Sequence, residues 1–316
     1  MENISIIGAG TMGHSIALSA AWAGKQVKVY GINDQDLINA NKGLINKLKV
    51  MVDNGLFHAS EAEQIRGNIR FSTNLEETIA NASFIIEVIP EVLEIKREMY
   101  RKIENLIGEE VVIASNTSGF KPSLLAEGMA HPNRFVVTHF WNPAHLIPLV
   151  EVVKGKLTDE ETVQRAMQVL TEMKKKPILL NKEIPGFIGN RLQYALFREA
   201  QALLDAGAAT KEDIDAAVTY SIGRRLPVTG PLMTADMGGL DIFSAISNYL
   251  FEDLSTDQRS GKTLTRLVEE KKLGDKSGEG FYEWEPSVSE QWNAEREHTL
   301  IHFLKNDLKA EREGTE

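Results

Sequence analysis

The alternation of apolar and polar positions divides this chain into two parts. In the first, short apolar runs rich in Val, Ile and Phe recur at residues 4–7, 27–30, 84–89, 111–114, 135–138 and 149–153. Most are separated by segments of helical period, such as 94–106, where Ile95, Met99, Ile103 and Leu106 share one face. Strands alternating with helices predict parallel βαβ units. The runs are apolar throughout rather than at every second position, as expected of strands covered on both faces. Residues 40–66 form a long charged excursion of helical pattern, which predicts a helical pair projecting from the sheet.

Beyond Asn181-Lys182-Glu183-Ile184-Pro185-Gly186 the strand signal almost disappears, and 187–205, 211–221, 240–250, 262–272 and 290–312 all read as helix. The pattern predicts an α/β fold: a doubly wound sheet domain over 1–184 that carries the excursion 40–66, then an all-helical domain over 185–316. Residues 309–316 read as a frayed helix end and exposed tail. No repeats or low-complexity tracts interrupt this order.

Composition adds limits rather than detail. A chain of 316 residues with 42% hydrophobic and 25% charged positions is an ordinary globular protein, long enough for two cores. Its net charge of −10 argues against a nucleic-acid or anionic-membrane surface. With no cysteine, disulfides, thiolate metal sites and thiol nucleophiles are excluded, and the reading calls for no metal. The first residues show no secretory signal, and no apolar run approaches the roughly 20 residues that span a bilayer. A cytoplasmic protein is expected.

The first apolar run leads directly into Gly8-Ala9-Gly10-Thr11-Met12-Gly13 and then an Ala-rich helical stretch. A G-x-G-x-x-G alone is weak, but strand, turn, helix and second strand in succession are the context of a Rossmann dinucleotide site. Gly8 permits the tight turn, Gly10 lets backbone N–H groups approach the pyrophosphate, and Gly13 lets helix and strand pack closely. The helix start offers unpaired donors and a positive dipole end to phosphates. The carboxylate that usually ends the second strand and holds the adenine ribose is missing: Gly31 stands there. No Arg or Lys follows in the turn to bind a 2′-phosphate, and Asn33 or Asp34 is in place to reach the ribose. The cofactor expected is NAD, with NADP not excluded.

Two later strands end in polar clusters, Ser115-Asn116-Thr117-Ser118 and His139-Phe140-Trp141-Asn142-Pro143, and the run at 149–153 carries Glu151. Ligands of open α/β sheets bind outside the carboxyl ends of strands. Hydride transfer from an alcohol needs a base for the hydroxyl proton, and histidine suits that task near neutral pH. A buried carboxylate can fix its tautomer and stabilise the imidazolium, so His139 and Glu151 are candidates for such a pair. Each also has a plainer reading: a satisfied core histidine, a strand-edge charge, and for the Ser-Thr-Asn cluster a helix-capping turn.

The glycine turn, residues 87–91, the Ser115 and His139 clusters, Leu149-Val150-Glu151-Val152 and Pro185-Gly186-Phe187-Ile188-Gly189-Asn190-Arg191 occur in one order. Together they resemble the L-3-hydroxyacyl-CoA dehydrogenase family from residue 3 to about Trp284, and Gly278-Glu279-Gly280-Phe281-Tyr282 is similar to that family's ending. The resemblance implies that His139 is the general base, oriented by Glu151. It implies that Ser118 and Asn190 bond the substrate oxygen, Asn190 from the helical domain. It further places Glu91, Lys96, Asn142 and Lys276 at the nicotinamide half of NAD, beside the turn residues Gly8, Gly10, Thr11, Met12 and Gly13. A homodimer through the helical domain is implied as well.

For the substrate, the family's own name makes a 3-hydroxyacyl-CoA the first expectation, oxidised to the 3-oxo compound. Acyl-CoA members bind the CoA moiety with Ser and Lys on the helical excursion, and the matching positions here are Lys47 and Asn54. The segment Gly223-Arg224-Arg225-Leu226-Pro227-Val228-Thr229-Gly230-Pro231 is longer than in fatty-acid enzymes. It is similar to relatives acting on compact polar alcohols: L-carnitine dehydrogenase, L-gulonate 3-dehydrogenase (lambda-crystallin) and a dehydrogenase of pyridoxine breakdown. Trp141 replaces the family's usual smaller Phe and narrows a pocket. Arg224 or Arg225 offers a bidentate partner for a free carboxylate, although a solvated charge pair is the plainer reading. A compact hydroxy acid is therefore the second expectation, and a non-catalytic, crystallin-like dinucleotide binder the third.

Overall fold

The computed structural model describes residues 2–313. The chain divides into two compact units, Met1–Ile188 with Glu295–Glu316, and Gly189–Ala294. Whereas the sequence pattern assigned 185–316 to the helical part, the end of the chain groups with the sheet.

The first unit is an eight-stranded sheet: β1 (Asn3–Ile7), β2 (Gln26–Tyr30), β3 (Ile69–Ser72), β4 (Phe84–Glu87), β5 (Val112–Ser115), β6 (Phe135–Phe140), β7 (Leu149–Lys154) and β8 (Lys176–Leu180). Their spatial order is β3-β2-β1-β4-β5-β6-β7-β8, and β6 with β7 is the antiparallel pair. Its helices are α1 (Thr11–Trp22), α2 (Asp34–Asp53), α3 (Ala59–Gly67), α4 (Leu75–Ile79), α5 (Leu93–Glu104), α6 (Pro122–Leu125) and α7 (Glu160–Glu172). The apolar runs are continuous because both sheet faces are buried. Ile4, Ile6, Phe84, Ile86, Val136, Val150 and Val152 enter one core. Their alternates Ile7, Ile85, Phe135, Val137 and Val153 enter the other.

Strands β3 and β8 were not expected, although β8 carries Ile178-Leu179-Leu180. The first is a four-residue strand with Arg70 at its centre, and β8 holds Pro177. Both lie at the edges of the sheet, where a missing N–H and one-sided packing are tolerated. The excursion also differs from expectation. It begins at Asp34 and does not project: Ala40, Leu44, Leu48 and Met51 of α2 and Ala62 and Ile65 of α3 join the first core. They pack on α1, which is buried at every position from Gly13 to Ala21. Its alanines leave room for helices on one side and strands on the other.

The second unit contains α8 (Gly189–Asp205), α9 (Lys211–Ala217), α10 (Gly223–Arg225), α11 (Pro231–Gly238), α12 (Leu240–Leu250) and α13 (Lys262–Glu269). A π-helical turn at Val218–Ile222 joins α9 to α10, and two isolated bridges around Glu279 are its β structure among the described residues. The last helix, α14 (Pro286–Glu313), runs through 309–313, within the stretch expected as a frayed helix end and tail; residues 314–316 lie outside the described residues. From Glu295 it lies on the first unit, where Ile301 and Leu304 pack with Leu146 against Trp22, Val50 and Leu56. Among the described residues no helix is long and apolar enough to cross a membrane.

Candidate active site

Registers Ile7↔Tyr30, Ile7↔Glu87, Glu87↔Ser115 and Ser115↔Val137 bring the carboxyl ends of β2, β1, β4, β5 and β6 to one edge of the sheet. The chain reverses its direction of winding between β1 and β4, so the crevice for a ligand opens there. Gly8 has φ +124°, and a Cβ on it would lie 2.8 Å from the Val88 carbonyl oxygen. A Cβ on Gly13 would fall 1.9 Å from the Gly8 oxygen. A Cβ on Gly10 would meet nothing within 4 Å. The turn is therefore packed shut where helix meets strand and open where a pyrophosphate would rest on the first N–H groups of α1. Thr11 is exposed and Met12 half-buried at that opening. These residues fit a dinucleotide.

On the ribose side, at Gly31, a Cβ would come within 2.5 Å of a Leu37 methyl and 3.2 Å of the Ala9 Cβ, so a side chain there would displace the Leu37 side chain. Asn33, expected near the ribose, also caps α2, its Oδ1 accepting from the Asp36 N–H at 2.9 Å.

At the end of β4 lies a fully buried carboxylate. One oxygen of Glu87 accepts from the Ile89 N–H and from Lys96 Nζ, both at 2.7 Å. The other accepts from Ser115 Oγ at 2.7 Å and Tyr100 OH at 2.5 Å. Burial, and then the Glu87 charge, push the Tyr100 hydroxyl well above its ordinary range. Lys96 Nζ also lies 3.3 Å from Glu91 Oε2, while Glu91 Oε1 accepts from Thr117 Oγ1 and from the Ser118 N–H. Asn116 Oδ1 accepts from the Phe140 N–H at 2.8 Å, tying β5 to β6. Ser118 itself is exposed. This lattice fixes the spacing of three strand ends.

His139 and Glu151 are directly opposed across the antiparallel β6–β7 pair. Their separation is 2.9 Å from Nδ1 to Oε2, with the carboxylate fully buried. An ionised carboxylate there requires the proton on Nδ1 and leaves Nε2 as the nitrogen with a lone pair. Glu151 Oε1 accepts from the Ile188 N–H at 2.8 Å, and Oε2 also accepts from Trp141 Nε1 at 3.2 Å. The imidazole contacts two rings, Trp141 at 5.6 Å and Phe187 at 5.5 Å between centroids. Phe187 is fully buried at φ +53°, a conformation its packing maintains.

The first unit thus gathers His139, Glu151, Trp141, Ser118, Glu91 and the exposed Asn142 at its strand ends, with the glycine turn along the same edge. Lys96 is there too, but buried and bonded to Glu87. The remaining expected site residues belong to the second unit. Asn190 is half-buried in the first turn of α8. Arg224 is exposed, its guanidinium 5.3 Å from the Tyr220 ring and its Nε donating to the Thr219 carbonyl. Arg225 and Lys276 are exposed. Sequence reasoning missed the bonds from the Phe140 N–H to Asn116, from the Ile188 N–H to Glu151 and from Trp141 to Glu151. Only the last had a signal: His139 and Trp141 are two residues apart, and side chains two apart on a strand share a face.

A dinucleotide turn beside an oriented imidazole is the equipment of a nicotinamide-dependent dehydrogenase. The NAD-binding domain of 3-hydroxyacyl-CoA dehydrogenase matches residues 3–184, and the C-terminal domain of the same enzyme matches 186–284. The chain belongs to the 3-hydroxyacyl-CoA dehydrogenase family of NAD-dependent dehydrogenases. It is 35% identical to 5-formyl-3-hydroxy-2-methylpyridine 4-carboxylate 5-dehydrogenase of Mesorhizobium japonicum, over 95% of this chain and 96% of that protein. It is 34% identical to a probable 3-hydroxybutyryl-CoA dehydrogenase of Deinococcus radiodurans, over 88% of this chain and 99% of that protein. A crystal structure of a 5-formyl-3-hydroxy-2-methylpyridine 4-carboxylic acid 5-dehydrogenase, described as an NAD+ dependent dismutase, superposes with a TM-score of 0.90 at 34% identity, covering 97% of this chain and 98% of that one.

Proposed function

We propose that the chain oxidises a hydroxyl group to a carbonyl with His139 as general base, and that its substrate is a compact hydroxy acid rather than a CoA thioester. The buried 2.9 Å contact between His139 and Glu151 carries the first statement. Hydride acceptance is the chemistry that NAD supplies when bound. The chain's own part is to take the hydroxyl proton on His139 Nε2 while Glu151 stabilises the imidazolium. Ser118 and Asn190 keep the role toward the substrate oxygen that the family resemblance gives them. Glu91, Asn142 and Lys276 keep theirs toward the nicotinamide half; the buried Lys96 acts there by holding Glu87 and Glu91.

The substrate reading is supported by α14. Its His298 Nδ1 lies 2.8 Å from Asn54 Oδ1, and its Lys305 Nζ donates to the Asn54 carbonyl at 2.5 Å. Lys47 turns inward, 3.2 Å from His14 Nε2. Both positions matched to the CoA contacts are thus engaged within the protein. This helix lies beyond residue 284, where the family's C-terminal domain ends. Arg224 and Arg225 remain candidates for the substrate carboxylate. The sequence's first expectation, a 3-hydroxyacyl-CoA, is the rival within the same test.

The helices of the second unit support a homodimer. From α8 to α12 none carries a buried residue, and Leu232 is 83% and Met237 75% exposed. A second copy of the chain would cover such a surface.

Purified protein assayed with NAD(H) on acetoacetyl-CoA, carnitine, gulonate and the pyridine carboxylate aldehyde tests the substrate. Turnover on a free acid and none on the thioester is expected; fast reduction of acetoacetyl-CoA overturns the compact-substrate reading. His139→Ala should lower turnover by about 10²–10⁴-fold with NADH binding nearly unchanged. Equal activity of the two proteins would remove His139 from the mechanism.

A further inference from the structure

We propose that Trp141 is a positioning residue for the base: its indole N–H shares the Glu151 oxygen that faces His139 and limits how strongly that carboxylate holds the imidazole proton. The inference rests on the reading of His139 and Glu151 as base and orienting carboxylate.

Trp141 Nε1 and His139 Nδ1 approach the same atom, Oε2 of Glu151, at 3.2 and 2.9 Å. The rings are tilted by 55°. Trp141 follows the last residue of β6, so it leaves the strand on the face His139 occupies and turns its ring edge back toward β7. The other oxygen receives the Ile188 N–H at 2.8 Å. Donors from three places in the chain therefore converge on one fully buried carboxylate. Each N–H that bonds a carboxylate stabilises its negative charge and lowers its affinity for a proton. The lone pairs given to the indole are less available to an imidazolium at the same oxygen. A phenylalanine at this position would supply the ring but not the donor.

Glu151 faces the imidazole from β7. Glu87 and Glu91, from β4 and the loop after it, are paired with Lys96 of α5 at 2.7 and 3.3 Å. The segment before α8 contributes the Phe187 ring and the Ile188 N–H.

Removing the indole N–H should make His139 retain its second proton to higher pH, by about 0.5 to 1 unit. The test uses the full-length chain with 13Cε1-labelled histidine, the His139 signal being identified by its loss in His139→Ala. The NMR titration is compared between the natural chain, Trp141→Phe, and a chain carrying 3-benzothienyl-alanine at 141, where sulfur replaces the N–H and ring shape is kept. An upward shift of the His139 midpoint in the benzothienyl chain, matched by the Phe variant, supports the proposal. A benzothienyl midpoint within about 0.2 unit of the natural one overturns it, even if Trp141→Phe shifts, because packing alone then explains that shift. The titration needs no substrate. Failure of the base reading would appear separately, as undiminished turnover in His139→Ala.

Discussion

Alanine at Gly10 and alanine at Gly13 should separate folding from cofactor binding within one turn. At Gly13 the new methyl would sit 1.9 Å from the Gly8 carbonyl oxygen and 3.3 Å from a Val88 methyl. A carbon and an oxygen settle at roughly 3.3 Å, so the start of α1 must move off the end of β1 by more than about 1 Å. The obstacle is backbone and has no rotamer to escape into. Ala gains about 1 kcal/mol over Gly within a helix, but overpacking of this kind costs about 1–3 kcal/mol or more. With a backbone obstacle the upper end applies, and the net loss should be at least about 2 kcal/mol. At about 2–4 °C per kcal/mol, Tm should fall by about 4 °C or more. At Gly10 nothing lies within 4 Å, so alanine should leave Tm within about 2 °C. Its methyl would instead fill the space above the N–H groups of α1 and weaken NADH binding at least tenfold, about 1.4 kcal/mol. Thermal unfolding and NADH fluorescence titration read the two effects. Unimpaired NADH affinity in Gly10→Ala would refute the placement of the pyrophosphate. A Gly13→Ala protein as stable as the natural one would refute the packing argument.

Lys96→Met removes the cation from a fully buried pair and leaves Glu87 on the Tyr100, Ser115 and Ile89 donors; a loss of about 3–5 kcal/mol is expected in chemical unfolding. A loss below about 1 kcal/mol would mean those three donors satisfy the carboxylate alone. Burial pushes the Lys175 ammonium from 10.5 down to about 7. Between those values the unfolded chain binds a proton that the folded chain has released, so stability should rise with pH across this window. The Lys175 contribution approaches 1.4 kcal/mol per unit at most, roughly, and vanishes below the folded value, where both states are protonated. Urea unfolding at intervals from pH 7 to 10 should show that slope in the natural chain and a flatter one in Lys175→Met; identical slopes would exclude Lys175 as its source.

Much of this protein was determined by local sequence. Continuous apolar runs required a sheet with two covered faces, and Gly8-Ala9-Gly10-Thr11-Met12-Gly13 between a strand and a helix required a dinucleotide turn. These signals are legible because each depends on neighbours a few residues away. Strands β3 and β8 were hidden because edge positions accept Arg70 and Pro177, and edge status follows from topology. The opposition of His139 and Glu151 depended on the register of an antiparallel pair, which no spacing along the chain specifies. That Leu37 and Ala9 crowd the space beside Gly31 is visible only in the packed structure. Asn33 was read toward a ribose, and its bond capping α2 came into view only with the structure. The destination of α14 was decided by tertiary contacts alone: an amphipathic helix reveals that it must bury a face, not which surface will receive it. The same holds for Trp141, whose ring was legible as bulk in a pocket. Its hydrogen bond to the carboxylate behind His139 exists only because β7 runs antiparallel beside it.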